Sequence, residues 1–163
     1  MRNLYVPNCH IQLQKELNGT EINTIDMFRT KTEKYFLPVN NMSAKDIESY
    51  VIGYVKDKLD EYDIGGYIVD AVVSGSRCRG LEKVDSDLDV VVELVTEARE
   101  DYLFSILHED DLHIGNVILD INPITEAKTG TLTEYLPGVE SYLAEKRFLA
   151  SLRNIKTKVK GVR

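Results

Sequence analysis

Nowhere in its 163 residues does the chain carry an apolar run of membrane-spanning length. Its opening MRNLYVPNCH lacks the long apolar core of a secretory signal. No membrane partner is expected. There are only two cysteines, Cys9 and Cys78, and their spacing forms no metal-ligand pair. A disulfide between them stays open, but two isolated cysteines in an acidic chain point to reduced thiols and a cytoplasmic setting. Basic residues are outnumbered, 20 against 27, for a formal charge of −7. That balance excludes a protein that coats nucleic acid by bulk electrostatics, while leaving room for a local basic surface. Repeats and low-complexity tracts are absent as well.

What is present is the composition of an ordinary folded domain, 43% apolar and 29% charged, in a chain long enough to bury a core. Three parts are expected: an N-terminal extension (1–42) packing on or near the core, a core domain (43–152) and a basic C-terminal tail (153–163).

The core is organised around GYIVDAVVSGSRCRGLEKVDSDLDVVVEL, residues 66–94. An apolar run breaks at Ser74-Gly75-Ser76. A basic, glycine-bearing turn with Arg77 and Arg79 follows, and a second apolar run carries Asp87 and Asp89. If residues 88–94 form a strand, alternation places Asp87, Asp89 and Val91 on one face and Leu88, Val90 and Val92 on the other. Two carboxylates on one strand face, next to a turn of small residues, suit a divalent cation holding a polyphosphate. Magnesium prefers hard oxygen ligands, and small turn residues let backbone N–H groups reach phosphate. Downstream, NVILDINPI (116–124) is another apolar run with Asp120 at its centre. An ionised carboxylate there needs a partner or a metal. Laid beside the first acidic strand, it brings three acids together, the arrangement that phosphoryl or nucleotidyl transfer requires.

Gly75-Ser76, the spacer 77–86, Asp87-Leu88-Asp89 and the later Asp120 together resemble the DNA polymerase beta-type nucleotidyltransferase superfamily, in its minimal, stand-alone branch. The likeness spans residues 66–125. It implies an α/β (α+β) fold: a short, mixed, twisted sheet with helices mainly on one face and an active cleft on the other. It also implies that Asp87 and Asp89 hold the Mg2+ bridging a nucleoside triphosphate such as ATP. Asp120 would complete a second metal position and help deprotonate the attacking hydroxyl, and Mn2+ would substitute for Mg2+. Gly75 and Ser76 would contact the phosphates, with Arg77 and Arg79 neutralising them. The acceptor hydroxyl, on a small molecule, a protein or an RNA, is left open, as is a partner subunit or larger parent protein that selects it. The competing reading is a regulatory, antitoxin-like module that binds nucleotide or protein without turnover.

Each residue also has a plainer reading. Asp87 and Asp89 could line a solvated edge strand, Asp120 could pair with Arg77, Ser76 could be a helix N-cap, and Cys78 could be a packing residue. Glu93, on the same strand face, is a substitute ligand if Asp120 does not reach.

Around this centre, VPNCHIQLQ reads as a short strand and residues 24–35 as a short helix. Ser43 and Asp46 form a capping box for a helix with Ile47, Tyr50, Val51, Tyr54, Val55 and Leu59 at helical spacing. Residues 96–109 read as a helix with Leu103, Ile106 and Leu107 inward. The consecutive acids Glu109-Asp110-Asp111 read as a solvated loop rather than a metal site. Pro123 is expected to close the Asp120 strand. Thr131 and Glu134 cap a further helix in which Pro137 marks a kink or a fresh start, ending near Leu152. From Lys146 to Arg163 there are seven Lys/Arg and no acid. That tail reads either as solvated or as a contact for polyanions.

Overall fold

The computed structural model describes residues 24–161; Cys9 and the strand read at VPNCHIQLQ lie outside them. The fold is α+β. Helix α1 covers 24–35, α2 Ala44–Glu61, β1 Tyr67–Ser74, β2 Leu88–Val95, α3 Glu100–His108, β3 His113–Ile114, β4 Val117–Thr125 and α4 Leu132–Gly161. A 3-10 turn, Ser76–Arg79, follows β1. The sheet order is β1-β2-β4-β3, with β2 and β4 parallel and both outer pairings antiparallel. The parallel pair is joined by a crossover through α3, as such a connection requires.

The period-two pattern explains why β2 and β4 sit at the centre. Val90, Val92 and Leu94 are at most 1% exposed. Helix α2 packs on β1 and β2, and α3 on β4. The α2 capping box forms as expected, and Ile47, Val51, Val55 and Leu59 are buried, whereas Tyr50 is exposed. Helix α3 buries Leu103, Ile106 and Leu107.

Strand β1 has an open edge, and α1 and α2 close it. Glu48 of α2 accepts from Val73 N at 2.9 Å, and Arg29 of α1 donates to Ala71 O at 2.7 Å. Arg29 also holds Asp70 and Glu48 by ion pairs. Edge groups that would template another strand are thereby occupied.

Two prolines behave differently from the sequence expectation. Pro123 lies inside β4. Strand β3 pairs with β4 only at Val117 and Ile118, and the Leu119 N–H still donates to Leu112 O, so beyond Leu119 no strand among the described residues flanks β4 on that side and proline is tolerated at 123. Pro137 lies inside α4, a single 30-residue helix, so there is no fresh start at 137 and no break at 152. The Thr131–Glu134 capping box at its start is made in both directions. Among the described residues no helix is long and apolar enough to cross a membrane.

Candidate functional site

Strand register alone assembles the centre of the site. Ser74 on β1 is the partner of Asp89 on β2, and Asp89 is the partner of Asp120 on β4. Register partners share a face, so these three side chains form a row across the sheet. Val91 and its partner Asn122 form the next row on the same face. The Gly75-Ser76 turn leaves the end of β1 directly beside Asp89. A Cβ added at Gly75, whose φ is 69°, would stand 1.9 Å from Asp89 Oδ2. Only glycine allows the turn to approach the carboxylate this closely.

Helix α4 supplies the opposite wall. Its first N–H, at Leu132, donates to Glu93 at 3.0 Å, beyond the acids on β2. Some fifteen residues on, Arg147 donates to Arg79 O at 3.1 Å, beside the turn that precedes β2. The helix therefore runs antiparallel to β2. It presents Tyr135, Gly138, Tyr142 and Lys146 to a cleft of about 780 Å³ that Gly75, Ser76, Asp89 and Asp120 also line.

Two acids in one row create an electrostatic problem. Burial, the charges of Asp120 and Asp87, and a hydrogen bond to Asp120 push the Asp89 carboxyl from 3.8 up to about 6. Asp120 is held from its other side by His108, the last residue of α3, whose Nε2 lies 2.7 Å from Asp120 Oδ1. The other ring nitrogen, Nδ1, lies 2.7 Å from Phe104 O. The imidazole stacks on the Phe104 ring, with centroids 3.8 Å apart.

The structure thus brings Gly75, Ser76, Asp89 and Asp120 to one cleft. Asp87 is exposed, one residue ahead of β2, and acts on Asp89 through its charge from outside the cleft lining. The two arginines are not brought to the cleft. Arg77 donates through Nε and Nη2 to Ser86 O and closes the spacer. Arg79 is 4% exposed and lies over the Phe28 ring. It donates to Glu140, Thr32, Phe28 O and Cys78 O, tying the turn to α1 and α4. Its long side chain turns inward because Glu140 of α4 lies in reach, 2.6 Å away. Asp120 pairs with His108 rather than with Arg77. Glu93 is buried and caps α4 instead of facing the cleft. Ser76 opens the 3-10 turn without capping it through its side chain. Cys78 is a buried packing residue whose thiol burial pushes up to about 12.

Two residues at the site escaped the sequence reading. Lys146 is the cation lining the cleft among the described residues, its ammonium 5.8 Å from the centre of the Tyr142 ring. The Gly138, Tyr142 and Lys146 spacing of four was the signal for a shared helix face. His108 gave no comparable signal, because it meets Asp120 only through the packing of α3 on β4.

No protein-family model, no curated protein and no solved structure matches the chain.

Whether the site suits a magnesium ion turns on its donors. Asp89 and Asp120 offer hard carboxylate oxygens in adjacent register, and their mutual repulsion is the kind a cation relieves. Among the described residues no three acidic, imidazole or thiol groups are gathered closely enough to enclose an ion as they stand. The fit is therefore to a cation held by two protein carboxylates, with ligand or water oxygens for the rest.

Proposed function

We propose that this cleft performs magnesium-dependent nucleotidyl transfer. An acceptor hydroxyl oxygen bonds to the α-phosphorus of a nucleoside triphosphate, the bond to the bridging oxygen breaks, and pyrophosphate departs. What supports the reading is the single row Ser74–Asp89–Asp120 beside a glycine turn that touches Asp89.

Asp89 and Asp120 would hold the metal, with Asp87 adding negative charge at the mouth. A bound Mg2+ would supply charge neutralisation at the phosphates. The chain's own residues do the positioning. Gly75 and Ser76 offer backbone N–H groups and a hydroxyl to phosphate oxygens. Lys146, near the same turn, gives the cationic contact that Arg77 and Arg79 do not. Asp120 receives the proton of the attacking hydroxyl, so the acceptor enters on the β4 side, past Phe104 and Asn122. Val91, Tyr135 and Tyr142 give the cleft an apolar wall against which a nucleobase would pack.

The test uses ATP, CTP, GTP and UTP labelled at the α-phosphate, incubated with the protein, Mg2+ and a cell extract. Label transferred to an acceptor by the wild type and not by Asp89→Asn supports transfer. Nucleotide binding that ignores both Mg2+ and that substitution supports the regulatory module instead.

A further inference from the structure

Resting on the reading of the cleft as a cation and nucleotide site, we propose that His108 is the positioning residue of Asp120. The end of α3 fixes where the second metal-holding carboxylate points.

Three contacts immobilise the imidazole. It stacks on Phe104 at 3.8 Å between centroids, inclined by 26°. Its Nδ1 lies 2.7 Å from Phe104 O, an acceptor only, so Nδ1 carries a hydrogen and donates it. Its Nε2 lies 2.7 Å from Asp120 Oδ1, with one hydrogen between them. Phe104 and His108 stand four apart on α3, on a stripe next to the one that Leu103 and Leu107 bury. The packing of α3 on β4 therefore places a pre-set ring beside the acid.

Asp120 needs such a partner. Its side chain is 40% exposed, and its register neighbour Asp89 carries like charge. Where both acids are ionised their hydrogen bond is lost and the like charge favours rotation of Asp120 away from the row unless a second partner holds it. The imidazole engages Oδ1 and so holds the carboxylate turned toward Asp89, with which Asp120 shares a hydrogen bond. Partners that hold a ligand's orientation in this way change metal affinity without touching the metal.

The test compares wild type with His108→Phe, His108→Asn and His108→Gln by crystallography and by Mn2+ titration followed by electron paramagnetic resonance. Glutamine places an amide N–H where Nε2 stood, and asparagine only where Nδ1 stood. Phe and Asn are expected to release the Asp120 carboxylate from the row with Ser74 and Asp89 and to weaken Mn2+ binding about 10- to 100-fold, with Gln restoring both. An unmoved Asp120 in the Phe or Asn variant, or a measurable Mn2+ affinity identical in all four proteins, overturns the proposal. A wild type that binds no Mn2+ counts against the cation site, and the carboxylate's place in the variants still decides the role of His108. If His108→Phe does not fold, the Asn and Gln pair carries the same comparison.

Discussion

Two groups of carboxylates sit on this molecule, and their electrostatics run in opposite directions. Below the sheet, Glu61, Glu109 and Asp110 surround Lys58, which is 5% exposed. Tyr54 and Tyr62 donate to Asp110 and Glu109 at 2.8 and 2.5 Å. Hydrogen bonds from Lys58 hold both of those carboxyls below their ordinary values. In the cleft, Asp89 and Asp120 stand in register without an equivalent lysine between them, and Asp89 is driven up to about 6. Density of acid does not distinguish the two places, since the Glu109-Asp110-Asp111 run is the denser in sequence. The counter-charge does: Lys58 bonds its acids directly, whereas the Arg77 charge that acts on Asp89 is outweighed by burial and by the neighbouring acids. One group is neutralised within the fold; the other keeps an acid shifted up, which is the property the proposed cation would relieve.

Substitutions in the two groups should have opposite effects. Asp89→Asn should lower nucleotidyl transfer about 10²- to 10³-fold, yet raise the thermal midpoint of the metal-free protein at pH 7, because a repelled charge is removed. Lys58→Met should do the reverse, lowering the midpoint while leaving transfer per folded molecule unchanged. Calorimetry and initial rates on both variants check the pair.

Gly75→Ala probes how tightly the turn and the acid are packed. An alanine at φ 69°, meeting Asp89 at 1.9 Å, should cost about 1–3 kcal/mol in urea unfolding. It should also weaken Mn2+ binding by moving Asp89. Around Lys58 the left-handed positions, Asp63 at φ 51° and Asp111 at φ 45°, already carry side chains.

pH sharpens the contrast. Between about pH 4 and 6 the folded protein keeps a proton on Asp89 that the unfolded chain has released. The folded state thus binds more protons in that window, and Asp89's contribution to stability falls as pH rises through it. Glu109 and Asp110, shifted down, contribute stability above their ordinary values that is lost as pH falls through their lowered ones. Subtracting the Asp89→Asn melting curve from that of wild type should isolate the first effect, and saturating Mg2+ should abolish it.

The smallest change should come from Tyr54→Phe. It removes one partner of Asp110 and leaves Lys58 in place. A loss under about 1 kcal/mol in urea unfolding is expected.

Much of this architecture is legible in the sequence because it depends on short-range patterns. Period-two alternation put Asp89 and Val91 on one strand face. An apolar run with one acid put Asp120 on a neighbouring strand, and S-x-x-D and T-x-x-E marked the starts of α2 and α4. What was not legible depends on where long or terminal side chains go after packing. Arg77 and Arg79 looked like phosphate ligands because they follow a Gly-Ser turn. Arg79 turns inward to Glu140, 61 residues away, and Arg77 closes its own spacer on Ser86. His108 reaches Asp120, and Lys146 the cleft, from elements whose placement no local pattern states. Pro123 fits inside β4 because strand β3 covers only the start of β4, a long-range fact that no local pattern states.

Under the proposed function, the acids of the cleft take up a cation carrying a nucleotide. Isothermal titration of each nucleoside triphosphate into the protein, with Mg2+ and then with chelator, tests it most directly. Binding that requires Mg2+ and vanishes in Asp89→Asn is the predicted result. Equal heats with and without metal, or no binding of any triphosphate, would contradict it.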